Sequence, residues 1–202
     1  MEPDLETTRT NDGRTDREGN FVFGTMDTRE GHPATGSFYQ WSAGHGLRRI
    51  DLPKVSIANS ICFSPDGGSM YFCDSQQRRI MCGRYRASEA RVDDVDVFVT
   101  VTDGFPDGSV VDADGYLWNA VWGAGVIRRY APDGSLDREV VVPAKNPTCL
   151  AFGGDTMNEG YVTTARQEMS DQELERTPDA GSIYRFVASG VRGLSDQLCR
   201  SA

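Results

Sequence analysis

Three residues with a side-chain oxygen, Asn11, Asn59 and Asp107, follow one another at intervals of 48 residues. Amide and carboxylate oxygens are the donors that hard divalent cations take, so three of them at one level of a narrow channel would form a cage for Ca²⁺, Mg²⁺ or Mn²⁺. Asn and Asp at a strand start also form Asx turns that cap the backbone, and the spacing alone leaves both roles open. Other chemistries have less to work with. The two histidines, His32 and His45, sit neither in a His-Glu-x-x-His pattern nor beside paired cysteines, which argues against a His-ligated zinc site. A Gly-x-Ser-x-Gly elbow for a nucleophilic serine is absent. Gly44-His-Gly46 and Gly123-Ala-Gly125 lack the third glycine and the following helix of a dinucleotide fingerprint, and they read as turns.

The spacing belongs to a longer repeat. Asn11-Asp-Gly-Arg-Thr-Asp-Arg-Glu-Gly19, Asn59-Ser-Ile-Cys-Phe-Ser-Pro-Asp-Gly67 and Asp107-Gly-Ser-Val-Val-Asp-Ala-Asp-Gly115 are in register, and Asn146-Pro-Thr-Cys-Leu-Ala-Phe-Gly-Gly154 repeats the pattern more loosely after a shorter interval. Each reads as a short strand running into a turn that closes on glycine, the residue that takes φ > 0 without a steric penalty. An aromatic or β-branched strand then follows: Phe21-Val-Phe23, Met70-Tyr-Phe72, Leu117-Trp118 and Tyr161-Val-Thr163. A period of about 40–50 residues made of strands and turns is the signature of propeller blades. The expected fold is therefore all-β, a β-propeller of four-stranded antiparallel blades in one domain spanning 1–202, with about four blades present. In such a fold equivalent residues are related by rotation, so Asn11, Asn59 and Asp107 should start innermost strands and converge on the channel mouth. One turn of helix is expected after Arg166, where Ser170 and Glu173 have capping-box spacing.

Composition narrows the partners. A net charge of −9 and a pI of about 4.7 leave no basic stripe for nucleic acid. No apolar run approaches the roughly 20 residues of a spanning helix, and the polar start from Met1 to Gly19 lacks the apolar core of a signal peptide, so no membrane association is expected. Five cysteines, an odd number without a Cys-x-x-Cys pair, read as free thiols in a reducing cytoplasm, with Cys62 and Cys149 as small core side chains. The acidic run Val92-Asp-Asp-Val-Asp96 reads as a solvated blade edge.

At these residues the chain resembles the SMP-30/gluconolactonase/regucalcin family of six-bladed propeller lactonases. The resemblance is carried by Arg9-Thr-Asn11 through Gly24-Thr-Met26, by Ile57-Ala-Asn59 with Phe63-Ser-Pro-Asp-Gly67 and Met70-Tyr-Phe-Cys-Asp-Ser75, and by Phe105-Pro-Asp-Gly108 with Asp112-Ala-Asp-Gly-Tyr-Leu-Trp118. Pro147-Thr148, Ala151-Phe-Gly-Gly154, Tyr161-Val-Thr-Thr-Ala165 and Pro178-Asp-Ala-Gly181 extend it over nearly the whole chain. It implies one divalent cation, Ca²⁺, Zn²⁺, Mn²⁺ or Mg²⁺, ligated by Asn59 and Asp107. Asn11 corresponds to an Asn that approaches the metal or the substrate, and Arg9 to an Arg that binds substrate hydroxyls. The implied reaction is hydrolysis of a small-molecule sugar lactone to its aldonic acid. The cation would polarise the lactone carbonyl and acidify a water, and Asp107 would accept that water's proton. A non-catalytic module that holds a cation or a sugar, and a propeller interaction platform, are the alternatives.

Two departures stand out. Ser60 follows Asn59 where the family usually has glycine. The family also has about two further blades ahead of its Arg-x-Asn motif, one carrying a ligating Glu in a Gly-Glu-Gly-Pro context, and this chain has no such motif; Glu2 and Glu6 lie too close to Arg9 to belong to a separate blade. The expectation is an N-terminally truncated propeller whose open blade edges would allow self-association.

Overall fold

Fifteen short strands, two single 3₁₀ turns and one six-residue α-helix make up the described part of the chain, which in this computed structural model comprises Glu2 and residues 6–199. The strands form four antiparallel sheets, so the molecule is all-β and built of blades, in agreement with the repeat. The blades fall into two compact units. The first runs to Thr100 and includes the segment from Asp196 onward; the second spans Val101–Ser195.

In the first unit, β1 (Thr8–Thr15), β2 (Phe21–Asp27), β3 (Gly36–Ser42) and β4 (Gly46–Val55) are hydrogen-bonded in that order. The next blade repeats the arrangement with β5 (Ala58–Phe63), β6 (Ser69–Asp74), β7 (Arg79–Arg86) and β8 (Arg91–Thr100). Their facing sides share one core in which Val22, Phe38 and Ile50 of the first blade meet Ile61, Phe63, Met70 and Phe72 of the second. The Phe38 and Phe72 rings meet edge to face with centroids 5.2 Å apart, an arrangement that the ring quadrupoles favour. A buried polar chain also joins the blades: Gln40 Nε2 donates to the Tyr85 hydroxyl (2.6 Å), which donates to Asp16 Oδ2 (2.9 Å). The outermost strand β8 carries the acidic run, largely exposed or half-buried, as an edge requires.

In the second unit, β9 (Phe105–Val111), β10 (Leu117–Trp122), β11 (Val126–Tyr130) and β12 (Leu136–Val141) form one blade. β13 (Pro147–Gly153), β14 (Glu159–Thr164) and β15 (Ile183–Val187) form a three-stranded sheet among the described residues. Trp118, fully buried, packs edge-on against Phe152 of the neighbouring sheet and lies tilted against Phe186. The connection between β14 and β15 holds α1 (Asp171–Arg176), which starts with the expected capping box: Ser170 accepts from the Glu173 N–H, and the Glu173 carboxylate accepts from the Ser170 N–H (2.8 Å). Among the described residues no helix is long and apolar enough to cross a membrane. No disulfide joins any of the five cysteines among the described residues; Cys62 and Cys73 are buried, whereas Cys149 is half-buried.

Candidate functional site

Antiparallel pairing slips by one residue near the start of each innermost strand. Between β1 and β2 the register jumps from Thr10↔Thr25 to Gly13↔Phe23, so Asn11 and Asp12 together oppose Gly24. Between β5 and β6 it jumps from Asn59↔Cys73 to Cys62↔Tyr71, and between β9 and β10 from Pro106↔Val121 to Ser109↔Asn119, which puts Asp107 and Gly108 in the bulge. A bulge bends its strand and re-aims the side chains it carries. In β5 it is made by Ser60 in the left-handed region, at φ 58°. Such a backbone is unfavourable for a residue with a Cβ, which gives a physical reason for the glycine usual at this place in the resembling family.

Arg9, Asn11 and Asn59 come together in the first unit. Asn11 Nδ2 donates both to Asn59 Oδ1 and to the Ala58 carbonyl, each at 3.0 Å. Arg9 Nη1 donates to Asn11 Oδ1 at 3.1 Å and to the Thr10 carbonyl at 2.8 Å. Arg9 and Asn11 are exposed and Asn59 is buried, so this array runs from solvent inward. Two residues to which the sequence assigned no role hold it. Ser75 Oγ accepts from Asn59 Nδ2 at 2.9 Å. Asp12 spans the two bulges, its Oδ2 accepting from the Ile61 N–H and its Oδ1 from the Gly13 N–H, both at 2.8 Å. Burial pushes the Asp12 carboxyl up, against the lowering effect of those N–H groups.

Close approach of the two blades depends on Gly24, because a methyl group there would overlap Ala58 Cβ at the start of β5. Both atoms are fixed to backbone, so relief requires β5 to move. We expect Gly24→Ala to cost about 1–3 kcal/mol, seen as a fall in melting temperature of roughly 3–10 °C by circular dichroism.

Asp107 takes the corresponding place in the second unit and is half-buried. The buried Asn119 Nδ2 donates to the Asp107 backbone carbonyl (3.0 Å) and to Ser109 Oγ (2.9 Å), which pins the bulge from β10. Gly108 faces β13 so closely that a Cβ there would lie 2.5 Å from Cys149 Sγ. Asn119 and Ser75 carried no sequence signal beyond being polar residues in or beside an otherwise apolar strand. The donors named from sequence are all hard oxygens, and the Asn59 oxygen keeps a second lone pair beyond the one that Asn11 uses, so by chemistry they fit a hard divalent cation. No group of three or more His, Cys, Asp or Glu able to hold a metal occurs among the described residues.

Antiparallel blades of this kind, with Asn11 and Asp107 in bulges near the starts of innermost strands, define a protein of the β-propeller class. More narrowly, the chain belongs to the SMP-30/Gluconolactonase/LRE-like family, which matches residues 1–166. It is 48% identical over 187 residues to the L-arabinolactonase of Azospirillum brasilense, an alignment that covers 91% of this chain and 61% of that protein. A putative sugar lactone lactonase of Rhizobium meliloti is 36% identical over 181 residues, with 88% of this chain and 60% of that one covered. Among solved structures, a calcium-binding protein, regucalcin, from Agrobacterium tumefaciens superposes with a TM-score of 0.91 at 36% identity over 99% of this chain and 68% of its own. The chain thus spans about three fifths of the length of these two lactonase relatives.

Proposed function

We propose that this chain belongs to a sugar-lactone hydrolase and contributes Asp107 as general base, Arg9 and Asn11 as substrate-binding groups, and Asn59 and Asp107, with Asn11, as donors to one divalent cation. The observation that carries the reading is the Arg9–Asn11–Asn59 array at the bulged strand starts, in a chain 48% identical to a protein named L-arabinolactonase. When bound, a divalent cation supplies Lewis acidity toward a carbonyl oxygen.

The remaining work falls to side chains. Arg9 is a permanently charged donor whose guanidinium is exposed and tethered through Nη1, which leaves other N–H groups to meet the hydroxyls of a polyol ring. Asn11 keeps Arg9 and Asn59 in one hydrogen-bonded unit. The Asp107 carboxylate accepts the proton of a water that attacks the lactone carbonyl carbon. The acyl–oxygen bond of the ring then breaks, the ring oxygen takes up a proton as a hydroxyl group, and the acyl carbon becomes the carboxylate of the aldonic acid. Five cysteines, none of them in a disulfide among the described residues, fit a reducing cytoplasm as the working compartment.

The test is acid release from L-arabinolactone and gluconolactone in a pH-stat, with Ca²⁺, Mn²⁺, Zn²⁺ or Mg²⁺ added to chelator-treated protein. Turnover above the buffer rate with at least one cation supports the reading; rates equal to buffer with all four overturn it for this chain. Binding is read separately. At a cation concentration about 100-fold above Kd, linkage gives about 2.7 kcal/mol of stabilisation, so the melting temperature should rise by roughly 5–10 °C and fall back on chelation.

A further inference from the structure

We infer that Ser75 is a positioning residue for Asn59: its hydroxyl fixes which way the Asn59 amide faces and thereby sets how well the Asn59 oxygen can serve a divalent cation. The cation part of this rests on the proposed function; the orientation part does not.

The two ends of the Asn59 amide have partners of different kinds. Nδ2 donates to Ser75 Oγ at 2.9 Å, whereas Oδ1 accepts from Asn11 Nδ2 at 3.0 Å. An amide NH₂ group can only donate, so the reverse setting of Asn59 would bring two NH₂ groups together. Ser75 completes this selection by offering an acceptor to the nitrogen end. Asn59 is 6% and Ser75 5% exposed, so water does not take over if the hydroxyl is removed. A cation is ligated by the amide oxygen and not by its nitrogen, and an anchored nitrogen keeps the oxygen turned toward Asn11 and the site.

Ser75 is held in its own place by bonds that have nothing to do with its hydroxyl. It opens the 3₁₀ turn Ser75–Gln77, which is capped by Asp74. The Asp74 carboxylate accepts from the N–H groups of Ser56 (3.0 Å), Ile57 (3.1 Å) and Gln76 (3.2 Å), and the Ser75 N–H donates to the Ile57 carbonyl at 3.0 Å. Arg78, left-handed at φ 54°, closes the turn with its N–H on the Ser75 carbonyl. The turn that presents Ser75 is therefore clamped to the two residues that lead into β5, the strand that presents Asn59. The cap belongs to Asp74, so the turn itself does not call for a hydroxyl at position 75. Groups that orient a metal ligand from behind typically change metal affinity 10–100-fold when removed, which sets the scale of the expected effect.

The experiment compares wild type with Ser75→Ala, Ser75→Thr and Ser75→Cys in ¹⁵N-labelled protein, with Asn59→Ala used to assign the Asn59 side-chain amide signals. In chelator-treated protein the Asn59 NH₂ protons should exchange slowly in wild type and in Ser75→Thr, and about tenfold or more faster in Ser75→Ala. Ser75→Cys, which keeps the volume but replaces Oγ by a weak acceptor, should shift the same way by less and serves if Ser75→Ala does not fold. Calorimetric titration with Mn²⁺ and Ca²⁺ should show a Kd raised about tenfold in Ser75→Ala and restored in Ser75→Thr. Unchanged exchange in both Ser75→Ala and Ser75→Cys overturns the positioning role, whatever the cation data. Accelerated exchange in a protein whose wild type takes up neither cation upholds the orientation by Ser75 and overturns its link to a cation, and with it the proposed site.

Discussion

Asp107→Asn is expected to lower kcat for lactone hydrolysis by about 10²- to 10⁴-fold, with little change in KM and little change in melting temperature. The size follows from the role: a positioned general base contributes roughly that factor, and an amide of the same shape cannot take up the water's proton. A loss confined to kcat is the mark of an interaction made in the transition state and not in substrate binding. Preservation of the fold follows from how Asp107 is held. Asn119 Nδ2 donates to the backbone carbonyl of Asp107, and that bond survives substitution of the side chain. Neighbouring Gly108, which brings β9 against Cys149, is untouched. The measurement is a pH-stat rate at saturating lactone with the activating cation, alongside a melting curve. Wild-type kcat in the variant would remove Asp107 from the mechanism. A collapse of the melting curve would show that the residue acts on the fold.

The blades were legible because the repeat rests on backbone conformations that glycine alone adopts freely. Gly19, Gly67 and Gly115, spaced like the donors, all have φ between 75° and 84°, each closing the turn after an innermost strand. The helix was legible for a similar local reason, since the Ser170–Glu173 cap is complete within four residues. The bulges were not. A register slip is decided by which residues of the second strand pair with the first, and that depends on turn length and on how tightly the next blade packs, as at Gly24 against Ala58. The same holds for the support of the site. Ser75 lies 16 residues from Asn59 and Asp12 lies 49 from Ile61, so their bonds exist only once blades have formed. Sequence spacing indicated that Asn11 and Asn59 are equivalent; it carried no sign that they hydrogen-bond to each other and that the Asn11 oxygen is turned to Arg9.

The largest stability effect should come from a residue at the far end of an innermost strand. Asp112→Ala is expected to cost about 3–5 kcal/mol, since breaking a buried ion pair leaves a charge without compensation. On a chain of about 200 residues that corresponds to a fall in melting temperature of roughly 10 °C. Asp112 is fully buried and all of its side-chain bonds are at stake at once. Its Oδ1 accepts from the Asp114 and Tyr116 N–H groups (3.0 and 3.1 Å) and so shapes the turn after β9; its Oδ2 accepts from Trp118 Nε1 (2.9 Å) and from Arg129 Nε (2.9 Å) and Nη2 (2.8 Å). Without it the indole N–H of the core Trp118 has lost its acceptor, and Arg129, its side chain 6% exposed, keeps Asp137 at 3.0 Å, the more distant and exposed Asp114 at 3.7 Å and the face of Tyr116 at 3.6 Å. The side chains at the equivalent positions one and two periods earlier, Ser64 and Asp16, also accept from N–H groups of their turns, but among the described residues neither side chain accepts from a guanidinium, Arg17 Nε reaching only the Ser64 backbone carbonyl: Ser64 Oγ accepts from the Ser69 N–H, and Asp16 accepts from the Glu18 and Asn20 N–H groups, the Asn20 side-chain amide and the Tyr85 hydroxyl. Asp16→Ala should therefore cost less than Asp112→Ala, a ranking that melting curves check directly. The two aspartates of β9 and its turn also separate fold from chemistry within one blade. Assayed well below its lowered melting temperature, Asp112→Ala should keep most of the wild-type kcat, the inverse of Asp107→Asn, which should keep its stability and lose its rate.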